Sequence, residues 1–208
     1  MAGETSVAPF RFVGEHLALD FVNTAILEDE HPSDAIPDYR SALAWFEAAG
    51  VLSGRTARAL LAFDGSREAH RALGELYDFR SELRAMLEAH RTTGVIPERS
   101  VRAINVRLEA CGCAREVVRE PSGEGFVLRV RYRFERPADL MMPLANAGAE
   151  LLTAVDRSRI KRCNGSCCDM FFLDTSRNRT RTWCEMAACG NRAKAAAYYQ
   201  RHGRKQVS

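Results

Sequence analysis

The residues of this chain with the most specific chemistry are its seven cysteines, five of which lie between positions 163 and 189. Cys163 and Cys168 form one C-x4-C pair, Cys184 and Cys189 form a second, and fifteen residues separate the pairs. In known four-thiolate zinc sites, each such pair holds one side of the ion and the spacer forms a loop or hairpin. The spacing therefore predicts a tetrahedral Zn²⁺ site held by these four thiolates.

Cys167 competes with Cys168 for the second ligand position because the two residues are adjacent. Cys168 is favoured because it gives both pairs the same spacing. Four thiolates leave no open coordination position, so the zinc is expected to be structural. The alternative is a set of buried free thiols. Cys111 and Cys113 flank a glycine elsewhere in the chain, but two thiols alone make a weak metal site.

The segment that contains these cysteines is strongly basic. Residues 157–205 include twelve Lys or Arg and three Asp or Glu, a net charge of +9, whereas the rest of the chain carries −6. Four thiolates around one Zn²⁺ would lower the segment to about +7. A basic segment of this size indicates an anionic partner, most often nucleic acid.

Two groups of side chains are candidates for phosphate or base contact. One group alternates with small polar residues in the spacer and is expected to project together from a hairpin: Arg177, Arg179 and Arg181. The other lies on one face of the alanine-rich helix that follows Cys189: Lys194, Tyr198, Arg201 and Lys205. Such arrays neutralise phosphates, although a solvated basic face is the alternative.

Asn191 and Arg192 are harder to place because they come directly after Cys189. Arg192 is a candidate for nucleic-acid contact. Bracing of the zinc loop is the alternative role for both residues.

A second polar site is predicted around Arg80, which falls within the apolar stripe of a long helix, between Leu76 and Leu83. A buried guanidinium requires a partner. Asp20 is the best candidate, because it lies among apolar residues with other polar side chains nearby. A structural Arg80–Asp20 pair is one interpretation. The other is a pocket for a small anionic or polar effector, lined by Asp20, Asn23, Thr24, Arg80 and Arg84.

The elements that must position these residues are mostly helical. Helical periodicity predicts a helix from Leu17 to Ile26, and a short strand is predicted at Phe10–Val13. Further helices are predicted over about 42–49, 53–63, 67–91 and 143–155, with a short one after Pro97, and 28–39 reads as a loop.

Residues 126–134 alternate with period two, which predicts a strand with one buried face formed by Phe126, Leu128, Val130, Tyr132 and Phe134. With Val117 and Val118 before a glycine-containing turn, this indicates a β-hairpin. The fold class expected is α+β. A mostly helical domain with a small hairpin, residues 1–155, precedes a small treble-clef-like zinc finger, residues 156–208.

Composition places the chain among ordinary globular proteins, with 46% hydrophobic and 27% charged residues. No apolar run is long enough for a membrane helix, and the N-terminus has no signal core. A cytoplasmic location with reduced thiols is therefore expected. The chain has no G-x-S-x-G, phosphate-binding glycine loop or H-E-x-x-H, so no enzyme activity is expected.

The cysteine segment resembles the CGNR zinc-finger family, named for the run Cys189-Gly190-Asn191-Arg192. The family pattern also covers Phe172-Leu173-Asp174, Ser176-Arg177, Arg181, Trp183-Cys184, Met186 and Lys194. This resemblance also favours Cys168 over Cys167 as a ligand. Asp169 and Met170 stand where the family usually has glycine and tryptophan, and Cys167 is an extra residue.

Residues 12–24 resemble the start of the ABATE domain, which normally precedes this finger and is described as a stress-induced transcription regulator. Together the two resemblances span about residues 9–205. They imply a regulator that binds DNA through the finger and senses a ligand or partner through the N-terminal domain. RNA binding is one alternative. A small-molecule-binding protein or enzyme with its pocket in the N-terminal domain is another, in which the tail is a structural or dimerisation element. A homodimer is compatible with each interpretation.

Overall fold

A computed structural model describes residues 10–28, 31–110, 113–120 and 122–203. In chain order its elements are α1 (Leu17–Val22), β1 (Ala25–Glu28), β2 (His31–Asp34), α2 (Tyr39–Ala48), α3 (Gly54–Leu60), α4 (Arg67–Thr93), α5 (Glu98–Glu109), β3 (Cys113–Arg119), β4 (Phe126–Tyr132), α6 (Met141–Thr153), β5 (Ile160–Arg162), β6 (Phe171–Leu173) and α7 (Asn191–Gly203). The strands form three antiparallel two-stranded sheets, β1–β2, β3–β4 and β5–β6. The predicted α+β class is confirmed. The predicted roles of Cys111 and Lys205 lie outside the described residues.

The chain divides into two compact units. The first unit combines Met1–Pro37 with Leu151–Ser208, and the second unit is Asp38–Glu150. The predicted division after residue 155 assigned the whole N-terminal segment to one domain. In the compact units, residues up to Pro37 group with the cysteine segment, and the side chain of Asn23, just after α1, hydrogen-bonds to Phe171 of β6. The predicted domain division stays a prediction.

The second unit is built from helices whose ends are fixed by local side chains. Asp38, Ser53 and Ser66 each accept a hydrogen bond from a backbone N–H in the first turn of the helix that follows. The longest helix, α4, ends at Gly94, whose φ of 72° is a left-handed conformation that glycine adopts without strain. A Cβ on Gly148 of α6 would lie only 3.4 Å from Phe79 of α4. The helices therefore pack closely.

The hairpin β3–β4 differs from the sequence prediction. Its register pairs Val117 with Leu128 and Arg119 with Phe126. Part of the predicted buried face is exposed, with 67% of Phe126 and 61% of Leu128 accessible to solvent, whereas Val130, Tyr132 and Phe134 are half-buried. The alternation correctly predicts a strand with one apolar face, but it carries no information on what covers that face. The predicted burial is therefore wrong for Phe126 and Leu128, which lie nearest the turn.

The first unit also departs from the predicted elements at its N-terminus. The predicted strand at Phe10–Val13 is wrong, since these residues have no regular structure. The helical period predicted to reach Ile26 ends at Val22, and Ile26 lies in β1. Residues predicted as a loop pair instead in the β1–β2 hairpin.

None of the helices in the described part of the chain is long and apolar enough to cross a membrane.

Candidate metal centre

The first cysteine pair lies in the turn of the β5–β6 hairpin. The backbone N–H of Cys163 donates to the Met170 carbonyl at 2.8 Å, and that of Cys168 donates to the Gly165 carbonyl at 3.2 Å. A Cβ on Gly165 would lie 3.0 Å from the Cβ of Cys168 and 3.3 Å from the sulfur of Cys189. The turn thus folds its two thiols towards the second pair, and a side chain at position 165 would crowd the cysteines.

The second pair lies at the entrance to α7. Cys184 is buried, and a wide helical turn over Met186–Gly190 brings Cys189 to the same place. A Cβ on Gly190 would lie 3.2 Å from Trp183 and within clashing distance of the Met186 sulfur. Glycine at this position therefore lets the turn close tightly before the helix begins.

The four sulfurs form one compact group. Cys163, Cys168, Cys184 and Cys189 have ligand atoms that all lie within 4.8 Å of one another. The sulfur of Cys184 is 3.7 Å from that of Cys168 and 3.6 Å from that of Cys189. Ligands at a Zn–S distance of about 2.3 Å make a tetrahedron with edges of about 3.8 Å. The four cysteines therefore form a metal-binding group whose donors and spacing fit zinc.

Electrostatics within the group also favours a cation. Hydrogen bonds from the thiols of Cys168 and Cys184 hold the pKa of Cys163 far below its ordinary value. The hydrogen bond with Cys163 raises the pKa of Cys168 to about 12. A thiolate at Cys163 thus disfavours ionisation of its neighbours, and a bound divalent cation would offset the repulsion among four thiolates.

Backbone and side-chain donors surround the sulfurs. The N–H groups of Gly165 and Cys184 each donate to the Cys163 sulfur at 3.4 Å. The guanidinium of Arg192 donates to the Cys189 sulfur at 3.5 Å. Arg192 therefore has the zinc-bracing position that was the alternative to nucleic-acid contact. Cys167 is exposed and lies outside the four-sulfur group, whereas its neighbour Cys168 belongs to it.

A buried carboxylate organises the spacer between the two pairs. Asp174 accepts hydrogen bonds from the Lys161 ammonium at 2.6 Å, the Ser176 hydroxyl and the Arg181 backbone N–H at 3.1 Å. Burial alone would raise the pKa of Asp174, but these donors outweigh it and hold the pKa well below the ordinary range. Sequence reasoning missed Lys161. Lys161 lies opposite Phe172 in the β5–β6 register. Its proximity to Asp174 follows from that register, which the sequence does not specify.

Arg181 has a different role from the predicted phosphate contact. Its guanidinium donates to the carbonyls of Trp183 at 3.1 Å and Val13 at 3.0 Å, and also to that of Cys184. It lies 4.5 Å from the centre of the Phe172 ring. These contacts turn Arg181 inward, so the three spacer arginines do not project together.

Asn23 connects α1 to the finger. Its amide nitrogen donates to the Phe171 carbonyl at 2.7 Å, and its amide oxygen accepts the Phe171 N–H at 2.8 Å. The hydroxyl of Thr24 donates to the Phe21 carbonyl at 2.7 Å. Both residues were predicted to line an effector pocket. The amide of Asn23 instead pairs with the backbone of β6, which joins this segment to the hairpin that carries the first cysteine pair.

Asp20 is buried in the first unit, and its carboxylate accepts the Gly14 N–H at 2.7 Å. Burial raises its pKa to about 6, and the Gly14 hydrogen bond opposes this shift. Arg80 and Arg84 lie on α4 in the second unit. Arg80 is only 7% exposed, as its place in the apolar stripe predicted, and it lies 4.9 Å from the centre of the Tyr77 ring. The predicted pairing of Arg80 with Asp20 stays a prediction.

The remaining basic candidates are on the surface. Arg177, Arg179, Lys194 and Arg201 are all exposed. Arg179 forms an ion pair with Asp156 at 3.3 Å, with more than half of the arginine side chain accessible. Exposed pairs contribute roughly 0–1 kcal/mol, so this ion pair holds Arg179 only weakly.

Comparison with known families agrees with this arrangement. A family model described as "ABATE: Putative stress-induced transcription regulator" matches residues 15–155, which is more than half of the chain. The model of the CGNR zinc finger matches residues 159–202, the segment that contains the four cysteines. The search of curated proteins found no match to this chain.

Proposed function

Because the chain belongs to the ABATE family and continues into a CGNR zinc finger, we propose that it is a transcription regulator that binds DNA through the finger. The observation that carries the proposal is an exposed cationic surface attached to the metal centre. Arg177, Arg179, Lys194 and Arg201 are accessible, and the described helix α7 contains no acidic residue. A response to stress is part of the proposal and is supported by the family description.

We propose that the ion held by the four cysteines is Zn²⁺. When bound, it supplies charge neutralisation for four thiolates and a fixed tetrahedral anchor, with no open position for a reacting molecule. The chain's own residues then orient α7 and the spacer relative to each other. This account assigns no catalytic role to the site, and we propose no enzyme activity for the chain.

Binding to DNA is tested with the full chain and a fluorescent duplex over a series of salt concentrations. If six phosphates are contacted, log K falls with log salt at a slope of about −5 because condensed counterions are released. An affinity that is the same at low and moderate salt would contradict the proposal.

Variants locate the contact surface. Arg177→Gln and Lys194→Gln are expected to weaken binding and to reduce the salt slope by about one each. Arg71→Gln is the matched control, because Arg71 is exposed and paired with Glu75 at 2.9 Å on α4 of the second unit. If all three variants weakened DNA binding equally, the surface formed by the spacer and α7 would not be the DNA-binding site.

The second unit is the proposed sensor. A small anionic or polar effector would be held by Arg80 and Arg84, and the burial of the Arg80 cation supports this assignment. Asp20, Asn23 and Thr24 belong to the other unit, and the Asn23 amide is already paired, so they are less suited to this pocket. Thermal-shift measurements with succinate and inorganic phosphate on wild type and Arg80→Met test the assignment. A shift retained in the variant would contradict it.

RNA binding is the second candidate, and two exposed tyrosines on α7 favour it. The alternative that does not involve nucleic acid is a small-molecule-binding protein or enzyme with its pocket in the N-terminal domain. Absence of binding to any nucleic acid, together with a ligand shift that depends on Arg80, would favour it. A cytoplasmic location and a homodimer both stay predictions.

A further inference from the structure

The distal half of α7 exposes two aromatic side chains that the metal centre does not explain. Tyr198 is 56% and Tyr199 is 73% accessible to solvent. Every described side chain from Lys194 to His202 on this helix is exposed. Adjacent exposed tyrosines on an open helix indicate a contact surface rather than part of a core.

The rings are already arranged for stacking. The Tyr198 ring is stacked on the imidazole of His202, with centroids 4.1 Å apart and an interplanar angle of 23°. Tyr199 meets Tyr198 edge-on at 6.0 Å. More than half of the Tyr198 surface remains accessible despite the stacked imidazole, so another flat ring has access to it.

Charge indicates what kind of ring would bind here. Lys194 lies one turn before Tyr198, and Arg201 lies one turn after it, so both cations share its side of the helix. The Arg201 guanidinium donates to the Ala197 carbonyl at 3.1 Å, which fixes its position along the helix next to Tyr198 in sequence. Aromatic rings flanked by cations, on a helix whose described residues include no acid, complement nucleotides, which combine a flat base with an anionic phosphate.

We infer that Tyr198 and Tyr199 form a stacking surface for unpaired bases, so that the finger prefers single-stranded or locally opened nucleic acid to a closed duplex. The inference rests on the proposed function and specifies its ligand. Bases in a closed duplex present only their edges, which proteins read with long hydrogen-bonding side chains. Between Lys194 and the tyrosines, residues 195–197 of α7 are alanines, so this stretch offers no side chain for hydrogen bonds to base edges. Unstacked bases, in contrast, present faces that tyrosine rings bind directly.

The test compares the full chain on a single-stranded oligonucleotide, on its duplex, and on a duplex with an unpaired loop, at one salt concentration. The single strand and the looped duplex each carry the fluorescent base 2-aminopurine in the unpaired stretch. We expect tighter binding to both than to the closed duplex, with quenching of the base on binding. Tyr198→Ala and Tyr199→Ala should each weaken single-strand binding by about tenfold, as base–aromatic contacts of this kind contribute. Tyr199→Phe is the control, since it keeps the stacking face and removes only the hydroxyl.

The outcomes separate this inference from the proposed function. If the closed duplex binds as tightly as the single strand and the alanine variants change neither, the stacking surface is refuted while nucleic-acid binding stands. If no nucleic acid binds, both are refuted. If Tyr199→Phe weakens binding as much as Tyr199→Ala, the hydroxyl rather than the ring makes the contact, and the inference is again overturned. Circular dichroism of each variant checks that α7 remains helical.

Discussion

Two adjacent cysteines in the finger have different environments, although they are chemically identical. The backbone turn at Gly165 directs Cys168 towards Cys184, and Cys167 is directed to solvent. Symmetric spacing favoured Cys168 from the sequence, because two equal loops close around one ion with similar geometry. The hydrogen bonds from the Gly165 and Cys184 N–H groups to the sulfur of Cys163 could not be predicted from the sequence, because they depend on the folded backbone.

Metal content tests the ligand assignment. Wild-type protein should contain one zinc per chain. Cys184→Ser should lose it, because a hydroxyl replaces a thiolate in a closed four-ligand site. Cys167→Ser should retain the metal. Elemental analysis after dialysis measures all three proteins, and full zinc retention in Cys184→Ser would disprove the ligand set.

Asp20 provides a pH-dependent prediction at the same scale. Burial, together with the charge of Glu15, raises its pKa to about 6 against the hydrogen bond from Gly14. Its unfolded pKa is about 3.9, so folding takes up a proton between these values. The stabilisation from this proton is present at pH 4 and is lost as the pH rises through about 6.

Replacing Asp20 by Asn removes the titrating group while keeping an acceptor for the Gly14 N–H. Between pH 4 and pH 7, the wild type should lose up to about 3 kcal/mol of unfolding free energy that the Asp20→Asn variant does not lose. The unfolding free energy of the variant minus that of the wild type should therefore rise by this amount. Denaturant unfolding at each pH measures the difference. A constant difference over this range would show that the Asp20 pKa is not raised.

At the scale of elements, Arg181 shows why a cation in a motif need not contact a ligand. It joins the residue 13–15 segment to the spacer through donated hydrogen bonds to carbonyls and a contact with Glu15 at 3.4 Å. Arg181→Met should lower the free energy of unfolding by about 2 kcal/mol or more, because charge-assisted hydrogen bonds are lost. The exposed Arg177→Met should change it by less than about 0.5 kcal/mol. Chemical denaturation compares the two, and equal stability would contradict the bridging role.

Helix positions could be predicted well from the sequence, and their packing less well. The caps Ser53 and Gly94 mark helix ends through local chemistry that needs no tertiary information. The β3–β4 face and the inward turn of Arg181 depend on which surfaces meet, and periodicity cannot report this. The same limit explains Asn23, whose partner Phe171 is distant in sequence but hydrogen-bonded to it.

At the scale of the whole molecule, charge and metal centre occur in the same part of the chain. Residues 157–205 carry a net charge of +9, while the remainder carries −6. The sequence alone was sufficient to locate this asymmetry, because it depends on composition and not on packing. The spacer runs between two of the four clustered cysteines and α7 begins just after the last of them, so the arrangement of their accessible cations should depend on a bound ion.

The coupling between metal and nucleic acid is the most direct test of this account. The full chain is stripped of metal with a chelator, the chelator is removed, and affinity for an oligonucleotide is measured while zinc is returned stepwise under reducing conditions. The account predicts that binding is weak without metal and is restored in proportion to zinc, reaching its limit at one ion per chain. Affinity that is unchanged by removal and return of zinc would contradict the claim that the metal-organised finger binds nucleic acid.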